Sequence, residues 1–133
     1  MSFATLSRRR LSLATTPLLL GALVGLTACS SDSSSGPSVA VTASEKACTS
    51  ATTALATGSV TFEVTNKGSK TTEVYVYGKK GGAFTEVAGE AENIGPGTSR
   101  SFSADLEAGT YELACKPGQK GKGIRTSLTV TGS

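Results

Sequence analysis

Residues 101–115 read Ser101-Phe102-Ser103-Ala104-Asp105-Leu106-Glu107-Ala108-Gly109-Thr110-Tyr111-Glu112-Leu113-Ala114-Cys115. Phe102, Ala104 and Leu106 alternate with Ser101, Ser103 and Asp105. After a turn at Ala108-Gly109, Tyr111, Leu113 and Cys115 alternate with Glu112 and Ala114. Period two over such a run puts one set of side chains on a buried face and the other in water, the mark of a half-buried strand. The leucine, the glycine turn and the tyrosine have the spacing of a tyrosine corner. In that device the hydroxyl bonds back to backbone across the connection between two strands of a sandwich.

The same pattern extends outward. Val60, Phe62 and Val64 alternate with Thr61, Glu63 and Thr65, and Leu128 and Val130 with Ser127, Thr129 and Thr131. Val39–Val41 and Val74–Val76 add two more runs. Turn residues separate them at Asn66-Lys67-Gly68, Gly78 to Gly82, Gly95-Pro96-Gly97 and Pro117-Gly118. Lys79-Lys80-Gly81-Gly82 reads as a hairpin turn with lysines guarding an edge. No segment shows a sustained helical period with caps. The expectation is an all-β, Greek-key β-sandwich of about seven strands over residues 39–133.

The N-terminus has a different character. Arg8, Arg9 and Arg10 precede a mostly apolar run from Leu11 to Leu26, which ends in Leu26-Thr27-Ala28-Cys29. A basic start, a short apolar core and small residues before a cut describe an export signal over residues 1–28. Leu-Thr-Ala-Cys resembles the bacterial lipobox, which implies lipidation of Cys29 and attachment to the lipid membrane through a diacyl anchor. Ser7-Arg8-Arg9-Arg10-Leu11 fits both a twin-arginine signal and an ordinary basic region. Residues 29–38 are the lipidated cysteine and a Ser-rich tether with no large apolar side chain to bury. The implied location is the extracytoplasmic face of the cell membrane.

The whole chain carries 13 Lys plus Arg against 10 Asp plus Glu, a net charge of +3. The three arginines of the signal account for that excess, so the remainder is neutral. No nucleic-acid partner is expected, because phosphate neutralisation leads that binding. The chain has no histidine, and Met1 is its one methionine. Imidazole bases, zinc sites and histidine-ligated copper are thereby excluded. With no base, nucleophile pair or cofactor motif visible, the expectation is a protein that is not an enzyme. Of three cysteines, one is the anchor. Cys48 and Cys115 remain in an oxidising compartment, where a disulfide competes with a pair of thiolate ligands.

Gly109-Thr110-Tyr111-Glu112-Leu113-Ala114-Cys115 resembles the cupredoxin strand that ends in the copper-binding cysteine. With no histidine in the chain, a His₂Cys blue-copper centre is ruled out. Four segments are Glu45 to Cys48, Thr65 to Glu73, Glu90-Ala91-Glu92-Asn93-Ile94-Gly95-Pro96-Gly97 and Gly109 to Cys115. Together they resemble the cupredoxin-like domain of EfeO-type iron-uptake proteins. That resemblance implies a cupredoxin-like module that binds copper or iron and assists iron uptake. It implies an iron-uptake permease or a metallopeptidase-like protein as partner. Glu73, Glu90 and Glu92 match its acidic positions and Cys48 and Cys115 its cysteines, and these five are the candidate metal ligands. Glu90 and Glu92 are two apart, so on an extended chain both carboxylates point the same way. Carboxylate oxygens suit ferric iron and thiolates copper. The competing reading for the glutamates is three solvated charges on loops and edge strands, in a metal-free, disulfide-stapled interaction or structural sandwich. Lys116, Lys120, Lys122 and Arg125 read as a solvated loop, with an anion or lipid-headgroup contact as the rival.

The anchor has a direct test. Cys29→Ser is expected to move the protein from washed membranes into the soluble fraction. Retention of the variant on membranes overturns the lipidation reading.

Overall fold

The computed structural model describes residues 36–132. The signal, Cys29, the tether to residue 35 and Ser133 lie outside the described residues. Nine strands form two sheets. The four-stranded sheet has the order β2 (Cys48–Ser50), β1 (Ser38–Ala43), β4 (Gly58–Asn66) and β7 (Ser99–Leu106). The five-stranded sheet has the order β3 (Ala54–Ala56), β9 (Ile124–Thr131), β8 (Gly109–Pro117), β5 (Thr72–Lys80) and β6 (Ala83–Ile94). Pairings are antiparallel except β1 with β4 and β3 with β9. No described helix is long and apolar enough to cross a membrane.

The alternating residues fill the space between the sheets. Val39 and Val41 of β1 and Val60, Phe62 and Val64 of β4 face Val74, Val76, Leu113, Leu128 and Val130 of the other sheet, all nearly inaccessible. Phe62 stacks on Phe102 of β7 with ring centroids 5.2 Å apart. Strand β6 closes one side against β7. A Cβ on Gly89 would lie 2.9 Å from both the Phe102 ring and the Ser103 carbonyl, so only glycine fits this approach.

The predicted tyrosine corner is present. Tyr111 Oη donates to the Glu107 carbonyl at 3.1 Å and accepts from the Glu107 amide at 3.0 Å. The β5–β6 hairpin turns at Gly81-Gly82, both with positive φ, as a two-residue connection of twisted strands requires. Nine strands replace the expected seven because β2 and β3 have three residues each, too few to show a period. Strand β6 is an edge strand whose pairing with β5 is broken by three register shifts, so its residues do not alternate cleanly.

Cys48 and Cys115 are joined by a disulfide, with Cα atoms 5.5 Å apart. One belongs to each sheet, so the bond spans the core. Strands β1, β4 and β8 all run toward this end. The loops at 44–47, 67–71, 95–98 and 118–123 gather there, and Gly36-Pro37 lies at the other end. Closing a loop of 67 residues stabilises by about 4 kcal/mol in the chain-entropy model. Replacing both cysteines by alanine is expected to lower the unfolding free energy in urea by about that amount. A loss under about 1 kcal/mol would show that the sandwich does not depend on the bond.

Candidate functional site

The outer face of the five-stranded sheet carries the predicted glutamates around Tyr75, one of them in hydrogen-bond contact with it. Period two in β5 sends Val74 and Val76 into the core and Glu73, Tyr75 and Tyr77 outward. The two tyrosines stack with ring centroids 5.3 Å apart, and each is only 8% exposed. An outward face is normally wet, and here three side chains cover it. Lys116 Nζ lies 4.1 Å from the centre of the Tyr75 ring, and Arg125 lies 4.8 Å from that of Tyr77. Phe84 packs at the rim, with Ala114 beneath. Arg125 is held in turn by an ion pair to Glu112 at 2.6 Å.

Register brings the carboxylates to this surface. Glu90 of β6 pairs with Tyr75 of β5, and Glu73 pairs with Lys116 of β8. Glu92 accepts a hydrogen bond from Tyr75 Oη at 2.6 Å. That bond raises the phenol's pKa above its ordinary value. Burial and the charges of Glu73, Glu92 and Glu90 push it further the same way. All three glutamates therefore act on one hydroxyl. Among the described residues, however, no three His, Cys, Asp or Glu side chains stand together as a ready metal site. Cys48 and Cys115 lie in the core, apart from this face, and their sulfurs are bonded to each other. Tyr75 escaped the sequence reading. Its place two residues after Glu73 marked the shared face, but nothing in the sequence gave the register to Glu90 and Glu92.

The loops above this face are fixed by polar bonds. Asn66 is buried, and its amide donates to the carbonyls of Lys70 and Ile94 at 2.8 and 2.9 Å while its oxygen accepts from the Gly68 amide. Gln119 donates to Asn93 at 2.7 Å, which links the β8–β9 loop to the strand carrying Glu92. Glu45 reaches across from the β1–β2 loop and accepts from the Ser69 hydroxyl, the Ser69 amide and the Lys70 amide. A Cβ on Gly68 would lie 2.6 Å from that carboxylate, so the contact needs glycine.

The profile of the cupredoxin-like domain family matches residues 17–130. The chain belongs to the cupredoxin-like domain family. No curated protein matches it. Among solved structures it is similar to auracyanin of the photosynthetic bacterium Roseiflexus castenholzii, with 15% identity and a TM-score of 0.54 over 73% of this chain and 98% of that one. It is similar to azurin of Methylomonas sp. strain J, with 15% identity and a TM-score of 0.51 over 72% and 98%. Auracyanin A of Chloroflexus aurantiacus, described as a "blue" copper protein, gives 15% and 0.51 over 72% and 100%. At these identities the likeness is one of fold.

A blue-copper centre needs two imidazoles and a free thiolate. This cupredoxin-like chain has no histidine, and Cys115 is half of a disulfide. Its residues do not fit that group.

Glu45 supplies a pH test of the loop geometry. The Ser69 hydroxyl, then the backbone amides, hold its pKa at about 2 against an ordinary 4.5. A lowered folded-state pKa gives stability that is present above 4.5 and is lost as pH falls toward 2. Glu45→Gln is therefore expected to unfold at lower urea than the parent at pH 6, with the gap closing at pH 2. A gap independent of pH would show that the charge is not what ties the loops.

Proposed function

We propose that this chain is a lipid-anchored, extracytoplasmic cupredoxin-like module that binds ferric iron as cargo and assists its uptake. The ion would be presented to a permease or metallopeptidase-like partner. The observation that carries this reading is the Tyr75–Glu92 hydrogen bond with Glu73 and Glu90 acting on the same hydroxyl. A phenolate with carboxylates is a hard oxygen donor set, which suits ferric iron. Copper in its reduced form prefers sulfur, and both sulfurs here are committed to each other. Iron is therefore favoured over reduced copper as long as the disulfide is intact. Binding must expel the phenol proton, so affinity falls as pH falls.

The test is a titration with ferric nitrilotriacetate, read by absorbance and calorimetry. A visible phenolate-to-iron band is expected, with apparent affinity dropping about tenfold per pH unit for the one proton released. Tyr75→Phe is expected to abolish the band, and Glu92→Gln and Glu73→Ala to weaken binding at least about tenfold. Binding of full strength in Tyr75→Phe would overturn the assignment of the site. Cu(II) and Cu(I) titrations before and after reduction of the disulfide decide the choice of metal.

A second reading has its own support. The inter-sheet disulfide and the lack of a formed three-ligand group among the described residues also suit a metal-free surface interaction or structural sandwich. Absence of binding to either metal in either redox state would leave that reading standing.

A further inference from the structure

The charges of this domain are unevenly placed. The four loops at the disulfide end, 44–47, 67–71, 95–98 and 118–123, contain Lys46, Lys67, Lys70, Lys120 and Lys122. Their one acidic residue is Glu45, whose carboxylate is occupied by Ser69 and the Lys70 amide. Among the described residues none of the five lysines makes an ion pair. The ion pair present is Arg125 with Glu112, on the outer face. Lys116 and Arg125, read from sequence as part of one basic loop with Lys120 and Lys122, instead cover the tyrosines.

The arrangement goes beyond scattered solvated charges. Lys70 and Lys120 come from different loops and converge over Gly118. The Lys120 Cε and the Lys70 Cδ lie 3.7 and 3.9 Å from the point a Cβ there would occupy. Two ammonium-bearing side chains brought together, neither of them ion-paired, repel each other, and an anion beside them relieves that repulsion. The loops are also held: Asn66 fixes 67–70 and the Gln119–Asn93 bond fixes 118–120.

We propose that this basic end is a docking face for an acidic protein surface. Lysines spread over three loops steer and orient an anionic partner and set its salt dependence, with modest affinity at each contact. The choice of a protein over a lipid surface rests on the anchored reading above. The chain enters the domain at Gly36-Pro37, where the Pro37 carbonyl accepts from the Thr61 amide, at the end opposite the lysines. Strand β1 alone spans about 20 Å. Eight tether residues reach at most about 28 Å. Turning the lysines toward the bilayer would therefore need a tether drawn almost straight, whereas facing away leaves it slack. The acidic partner would also meet the domain beside the strand that carries Glu92, since Gln119 and Asn93 join the two.

The experiment uses the chain carrying Cys29→Ser, with a poly-L-glutamate peptide as the acidic probe and vesicles of phosphatidylglycerol and phosphatidylethanolamine as the lipid probe. Binding to polyglutamate is expected, and it should fall at least about tenfold from low to physiological salt. Lys67, Lys70, Lys120 and Lys122 changed together to Gln should weaken it about as much. Lys79→Gln with Lys80→Gln, at the other end of the sandwich, should leave it unchanged. All these lysines are on exposed loops or a strand end, and circular dichroism verifies the fold. No binding, equal effects of the two lysine sets, or tighter binding to vesicles than to polyglutamate overturns the proposal. Ferric titration of the loop variant separates the two readings, because loss of polyglutamate binding with intact iron binding locates the defect at the docking face alone.

Discussion

The Cys48–Cys115 bond is the constraint on which the rest of the arrangement turns. It joins β2 of one sheet to β8 of the other across one end of the core, both residues almost without exposure. Valine is the commonest residue of the described core, aromatic side chains are few, and a domain of this size buries only a moderate share of its surface. A covalent tie between layers offsets part of that deficit. It also sets the end of the sandwich. Thr126 Oγ1 donates to the Cys48 carbonyl at 2.5 Å, so the short β2 is pinned to β9 as well as to β8. Cys115 ends the run that resembles a copper-binding strand, and here its sulfur is used for architecture.

Strands β1, β4, β5, β7, β8 and β9 were legible because each packs one face on the core, and burial of alternate residues is what period two records. The tyrosine corner was legible for a related reason: its geometry is local, with Tyr111 four positions after Glu107. Strand β6 was not, because it lies at an edge and is bulged against β5. Neither face of its first half is buried, and Val87 is nearly half exposed. The shared outlook of Glu90 and Glu92 followed from spacing alone. Their meeting with Tyr75 is a matter of register between strands, which depends on a hairpin with three irregularities and has no signature in composition. The burial of Tyr75 and Tyr77 was equally hidden, since it requires cations from β8 and β9 to lie over them.

Polar residues at the disulfide end illustrate how little freedom the loops keep. Asn66 uses both amide hydrogens and its oxygen, and no buried side-chain nitrogen or oxygen among the described residues lacks a partner. Glu45 and Gly68 are matched in the same way: the carboxylate fills the space that a side chain at 68 would need. Loops fixed by such bonds hold their lysines in defined places, and this distinguishes the basic end from a flexible charged tail.

Closing the core with a disulfide has a chemical consequence for any ion the domain carries. Ligands near Cys115 would have to work where exposure is close to zero, and a cation there would lose its hydration without histidines or thiolates to replace it. The outer face of the five-stranded sheet poses no such difficulty. Glu90 and Glu92 stay exposed, Tyr75 keeps its proton by donating to Glu92, and the Lys116 ammonium offsets part of the local negative charge. A trivalent ion bound there, as proposed above, would replace one phenol proton with a stronger charge. The geometry of a cupredoxin-like sandwich is thereby kept, while the disulfide end is left to hold the sheets together.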